Sequence, residues 1–332
     1  MFRFREYRKD QETRDNYAEV RLSANDFIYP YFVVEGENIM EEIPGIRGMY
    51  KFSIDQLIEN MEHTVSLGIR DVLLFGLIEN SQKDNTASAA LAENSLIVRA
   101  IKAVKQSFSS IRIYADVCIC EYMSHGHCGV VSKGKIDNDA TLPILAQIAT
   151  SYALAGADFV APSAMMDGQV EAIRQNLNKN GKYSTKIFSF AVKYASNFYL
   201  PFRNATQITS SQGDRKSYQL DYRTTDQSIG EAWMDKYEGA DWVVIQPAHT
   251  YLDVIARIKT SFPNINVAAY HTSGEYMSIV AAAQAGILDE YQAFSEILTA
   301  IKRAGASKIV SYYAKNYLQH QYKNSELYEY YI

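Results

Sequence analysis

The chain has 332 residues, 47% of them hydrophobic, and 33 basic against 38 acidic side chains give a net charge of −5. That length supports one large core or two ordinary domains. Without a basic run to track phosphates, a span-length apolar stretch or a leader-like opening, nucleic-acid and membrane partners are excluded and a cytoplasmic enzyme is expected.

Residues 1–25 are charged and weakly periodic, from Phe2-Arg3-Phe4-Arg5 to Glu19-Val20-Arg21. Such a segment is either a disordered tail or an arm that orders against a partner chain. After it, apolar runs recur at 27–34, 71–76, 111–118, 158–163, 187–193, 242–247, 267–273 and 308–313. Most are continuously apolar, as strands covered on both faces should be. Helical spacing lies between them. Ser53-Ile54-Asp55-Gln56 reads as a capping box ahead of Leu57, Ile58, Met61 and Val65. Further helices are predicted at about 94–107, 141–155, 167–180, 227–238, 251–261, 275–286 and 290–304. Gly68, Gly156, Gly239 and Gly305 each follow a helical segment and precede a strand, the pattern of a left-handed C-cap and a short loop. Alternation of this kind predicts a (β/α)₈ TIM barrel spanning 26–332 behind an N-terminal arm of 1–25. A doubly wound open sheet is the weaker alternative, because no glycine-rich phosphate loop follows the first strand.

All three cysteines, Cys118, Cys120 and Cys128, fall within eleven positions beside His125 and His127. In an extended Cys-x-Cys both side chains point the same way, and the loop beyond can fold Cys128 onto them. Three thiolates suit Zn²⁺, and three protein ligands plus water is the pattern of a catalytic rather than a structural site. Either histidine could close the shell. Buried free cysteines, or a disulfide with one thiol left over, are the alternatives.

Barrel active sites form at the C-terminal strand ends, which here carry Asp116, Cys118, Ser163, Lys193, Gln246, Ser273 and Tyr312. The long segment 194–226 bears Arg203, Arg215, Lys216 and Gln219 and is large enough for a lid that binds anions. Lys193 ends an almost wholly apolar run. Such a lysine either snorkels to solvent or is partly desolvated, the condition for a Schiff-base amine.

These features together resemble the porphobilinogen synthase (5-aminolevulinate dehydratase) family over about residues 20–320. The resemblance rests on Asp116-Val-Cys-Ile-Cys-Glu-Tyr-Met-Ser-His-Gly-His-Cys-Gly129, a zinc-type metal motif. It extends to Ala161-Pro-Ser-Ala-Met-Met-Asp-Gly168, Lys193-Tyr-Ala-Ser196, Pro201-Phe-Arg203 and Gly213-Asp-Arg-Lys216. Tyr251-Leu-Asp253, Ala269-Tyr-His-Thr-Ser-Gly-Glu-Tyr276 and Ser311-Tyr-Tyr313 complete it. It implies condensation of two 5-aminolevulinate molecules to a pyrrole, with two imine-forming lysines and a zinc ion held by Cys118, Cys120 and Cys128. Lys193 matches the first lysine. Arg203, Arg215 and Gln219 match one carboxylate site, Ser273 and Tyr312 the other, and Asp116 and Ser163 polar groups of the pocket. The resemblance also implies a homo-oligomer, an octamer or its dimer unit, in which residues 1–25 wrap a neighbouring barrel.

The sequence departs from the family at Gln246, where the second imine lysine is expected. An amide is not a nucleophile and offers only hydrogen bonds. Ala164, Gln169, Phe190 and Ala191 also differ from the family pattern, which predicts an altered pocket. The leading expectation is therefore a lyase using a Lys193 Schiff base and zinc on 5-aminolevulinate or a related γ-keto acid, in a condensation outside the usual haem route. A catalytically weak relative with a binding or regulatory role, and an ordinary porphobilinogen synthase, are the alternatives.

Overall fold

The computed structural model describes residues 3–206 and 214–323. Eight strands form a closed ring: β1 (Phe27–Val34), β2 (Asp71–Leu77), β3 (Arg112–Val117), β4 (Phe159–Pro162), β5 (Lys186–Lys193), β6 (Trp242–Gln246), β7 (Val267–His271) and β8 (Lys308–Ser311). Each is parallel to its neighbours, and pairing of Phe27 and Ile28 with Ile309 and Val310 closes the barrel. The (β/α)₈ expectation holds, and the open sheet is excluded. Nearly continuous burial along the strands follows from their position between a packed interior and an outer helical layer.

That outer layer comprises α1 (Ile54–Ser66), α2 (Leu96–Ser107), α3 (Asn138–Ala155), α4 (Gln169–Lys179), α5 (Asp226–Glu238), α6 (Leu252–Ser261), α7 (Ser273–Gln284) and α8 (Glu290–Ala304). The sequence reading missed α9 (Ala314–Lys323), which follows β8. Its polar composition hides a buried side made by Ala314, Lys315, Tyr317 and Leu318.

Gly68, Gly156, Gly239 and Gly305 all adopt positive φ, as their place at helix ends predicted. The capping box at Ser53 does not form. Ser53 Oγ instead accepts from the Ile39 amide at 2.9 Å, and Asp55 accepts from the Asn38 amide at 2.8 Å. Both side chains are recruited by the segment that precedes α1, a tertiary competitor that local spacing cannot reveal.

Aromatic side chains fill the barrel. Tyr114 stacks on Phe159 with centroids 4.0 Å apart, and Phe188 packs edge-on against Tyr114. Nearer the C-terminal strand ends, Phe32 stacks on both Phe75 and Tyr312. The interior is thus closed below, and the mouth of the barrel is left for chemistry.

In the N-terminal segment, Gln11–Tyr17 is a helix capped by Asp10, and neither it nor the turn at Phe4–Arg8 buries a side chain. Among the described residues, no helix is long and apolar enough to cross a membrane.

Candidate active site

At the barrel mouth, one cavity gathers Asp116, Cys120, Ser163, Lys193, Arg203, Arg215, Gln246, Ser273 and Tyr312. Several of the strands end earlier than expected, so Cys118, Ser163 and Tyr312 lie just past them and Ser273 opens α7.

A register irregularity puts Lys193 in this cavity. Ser189 pairs with Val243 but Val192 with Ile245, so β5 uses one residue more than β6 over that stretch. Strict alternation from the inward-facing Phe188 and Phe190 would turn Val192 inward and Lys193 away. A bulge re-aims the chain. Lys193 Nζ donates to the Ser163 carbonyl at 2.8 Å and lies 5.8 Å from the Phe190 ring centroid. Gln246 is the cross-strand partner of Lys193, and its Oε1 is buried without a hydrogen-bond partner.

The three cysteines are buried and free, so no disulfide joins them. Their sulphurs lie within 4.8 Å of one another, with Cys118 Sγ 3.3 Å from Cys120 Sγ. Hydrogen bonds from Cys118 and Cys120 hold the Cys128 thiol well below the ordinary thiol range. Such a buried, soft sulphur donor set fits a thiophilic divalent cation. Neither histidine joins this ligand group. The His127 ring faces Tyr218 OH at 3.1 Å, and His125 Nδ1 accepts from the His127 amide. Of the three, Cys120 lines the cavity.

Arg215 donates to the Gly126 carbonyl at 2.8 Å, and the Cys128 amide donates to Tyr218 OH at 3.4 Å, so this turn grips the cysteine loop. Arg203 lies 5.2 Å from the Tyr199 ring centroid, with its Nε buried and unbonded. Burial and the neighbouring Arg215 make Arg203 harder to keep charged. Burial opposes the charge of Arg215 too, but the Cys128 and Cys120 sulphurs outweigh it. The main charges acting on Arg203 are Arg215, tyrosines and the Cys128 sulphur, and those on Arg215 are the cysteine sulphurs and Tyr218, not carboxylates. That arrangement is suited to an incoming acid.

Gln219 is buried with both amide atoms unbonded, but it does not line the cavity. Lys216 turns outward to Asp214. Residues 207–213 of the expected lid lie outside the described residues. Ser273 Oγ accepts from the Phe202 amide at 3.1 Å, and Tyr312 OH meets Tyr270 OH at 2.9 Å. Burial and then Glu121 push the Asp116 carboxyl well up, and Lys193 and Ser163 oppose this.

Sequence reasoning missed Glu121, buried and hydrogen-bonded by Cys120 at 3.0 Å, and the apolar lining from Phe75, Tyr199, Phe202 and Tyr270. Glu121 sat inside the metal motif, where adjacency to Cys120 was the available signal. The divergent positions fall in different places. Among the divergent positions only Gln246 and Phe190 line the cavity. Gln169 and Ala191 face a second cavity between α4 and α5, and Ala164 is buried in the core.

A second ligand-like group, His249, His271 and Glu275, reads as a structural clamp. The Glu275 carboxylate accepts from the amides of Ala248, His249, Thr250 and Thr272, tying the turns after β6 and β7 together. Its lone pairs are already spent.

The sequence matches the family described as delta-aminolevulinic acid dehydratase over residues 1–320. It is 44% identical over 314 residues to the delta-aminolevulinic acid dehydratase of Halalkalibacterium halodurans, covering 95% of each chain. It is 43% identical to that of Bacillus subtilis, covering 95% of this chain and 96% of the relative. The fold superposes with a TM-score of 0.96 and 36% identity on a Toxoplasma gondii delta-aminolevulinic acid dehydratase (porphobilinogen synthase) in complex with the reaction product porphobilinogen. That match covers 99% of this chain and 94% of the other. On sequence and fold, the chain belongs to the delta-aminolevulinic acid dehydratase family.

Proposed function

We propose that this protein is a lyase that condenses two molecules of 5-aminolevulinate to porphobilinogen with loss of water, using Lys193 as its imine-forming amine. The observation that carries this reading is the convergence of Lys193, two arginines with no carboxylate partner among the described residues and a buried three-thiol cluster at one barrel mouth. Names shared by the relatives above fit ordinary porphobilinogen synthesis better than the expected condensation outside the haem route, which they do not support.

Arg203 and Arg215 bind the carboxylate of the first substrate, and Gln219 backs that wall. The Lys193 amine then attacks the ketone carbon, and water leaves as the C=N bond forms. Asp116 and Ser163 are polar groups beside that amine, placed to hold or move the protons of imine formation. Ser273 and Tyr312 take the second carboxylate. Cys118, Cys120 and Cys128 would hold Zn²⁺, which when bound supplies Lewis acidity for loss of water.

Gln246 favours a second reading. It cannot activate a second ketone covalently, so a slower enzyme that uses the same Lys193 imine on another γ-keto acid would share this architecture. Colorimetric assay of porphobilinogen from 5-aminolevulinate separates the two. Product formed by zinc-loaded protein and lost on chelation supports the first. Absence of product alongside an intact Lys193 adduct supports the second.

A further inference from the structure

His271 ends β7 fully buried, edge-on to Phe294 of α8 with ring centroids 5.9 Å apart. His249 is partly buried in the turn after β6, and its Nδ1 lies 3.2 Å from His271 Nε2. Burial, aided by His249 and opposed by Glu275, pushes His271 from the usual 6.5 down to about 4. At neutral pH His271 is uncharged, so an N–H···N bond joins the two rings instead of two imidazoliums repelling each other. The His249 ring also meets the Phe198 ring, with centroids 6.2 Å apart at 62°. Phe198 belongs to the turn Asn197–Tyr199, which runs into the helix Leu200–Ala205 that carries Arg203. That segment sits on the turns after β6 and β7. Tyr199 OH donates to the Gln246 carbonyl at 2.9 Å, and the Phe202 amide donates to Ser273 Oγ at 3.1 Å. These ties anchor Tyr199 and Phe202. The half-buried Phe198 adds a ring contact whose footing is His249, itself held by the buried His271.

We propose that His249 is a positioning residue for Arg203. Held by His271, its ring keeps Phe198 and the helix that follows in one place, so the guanidinium meets a carboxylate without first having to be ordered. The inference deepens the proposed function, since it rests on Arg203 as part of the carboxylate site of the first substrate. Without the His249 ring, Phe198 stands over a void, and part of the binding free energy goes into ordering the segment.

Calorimetry of levulinate binding to the zinc-loaded protein tests this in a double-mutant cycle. His249→Ala should weaken binding about fivefold, the scale of one lost hydrogen bond, and Arg203→Ala should weaken it at least as much. The double variant should bind no more weakly than Arg203→Ala alone, because His249 acts through that arginine. His249→Phe keeps a ring beneath Phe198 without the bond to His271. It should fall between the parent and His249→Ala, and it replaces His249→Ala throughout if that variant does not fold. No loss in the single variant, or losses that add in the double one, overturns the proposal. Hydrogen exchange separates it from the reading on which it rests. The amides between Phe198 and Arg203 should exchange faster in His249→Ala than in the parent, and unchanged protection overturns the proposal. If Arg203→Ala binds levulinate as the parent does, the carboxylate-binding role of Arg203 is what fails. Faster exchange then upholds His249 as the seat of the segment, and unchanged exchange overturns it.

Discussion

At the scale of single residues, the site divides between a side chain that can form a covalent bond and a neighbour that cannot. Lys193 and Gln246 are cross-strand partners, so one register serves both halves of the cavity while their chemistry differs. The arginines show how charge is prepared for a substrate. Arg215 is held by the Gly126 carbonyl and the cysteine sulphurs rather than by a carboxylate, which leaves it ready for an acid. Replacing it with alanine should weaken binding of 5-aminolevulinate by about 1.5–3 kcal/mol, the scale of a hydrogen bond to a charged group. Calorimetry reads this directly, and unchanged affinity would show that Arg215 only braces the cysteine loop.

At the scale of elements, the strand-and-helix order was legible because buried parallel strands and glycine-ended helices leave strong local patterns. The three-cysteine cluster was legible because its members are neighbours in sequence. What stayed hidden depends on contacts between segments. The bulge that turns Lys193 inward is set by pairing with β6, Ser53 is taken by Ile39 rather than by its own helix, and α9 hides its packed side among polar residues. Gly274 is another case, since a Cβ there would lie 2.5 Å from the Phe198 carbonyl oxygen, a fit that only the folded chain reveals. The joint between α5 and β5 carries a pH dependence. Burial lifts the Asp235 carboxyl from the usual 3.8 to about 7, although Ser189 opposes this with a hydrogen bond of 2.5 Å. Because the folded-state value is raised, the folded chain holds this proton more tightly. The resulting stability is full below about pH 4 and is lost as pH rises to about 7. Melting temperatures of Asp235→Asn should therefore fall less than those of the parent across that window. Parallel curves would contradict the buried, protonated carboxyl.

For the whole molecule, a closed barrel leaves little unpaired edge in the sheet, and the exposed N-terminal segment stands out beside it. That segment buries no side chain of its own short helices and carries Phe4, Tyr7 and Tyr17 exposed. We propose that it wraps a neighbouring copy in a homo-oligomer, an octamer or its dimer unit. Deleting residues 1–25 should then lower the mass seen by light scattering, and an unchanged mass would count against the arm. The central claim, a family dehydratase that works through one imine, is met most directly by borohydride trapping with 5-aminolevulinate followed by peptide mass spectrometry. The account predicts one modified lysine, Lys193, and none in Lys193→Ala. An unmodified chain, or an adduct on any other lysine, would contradict it.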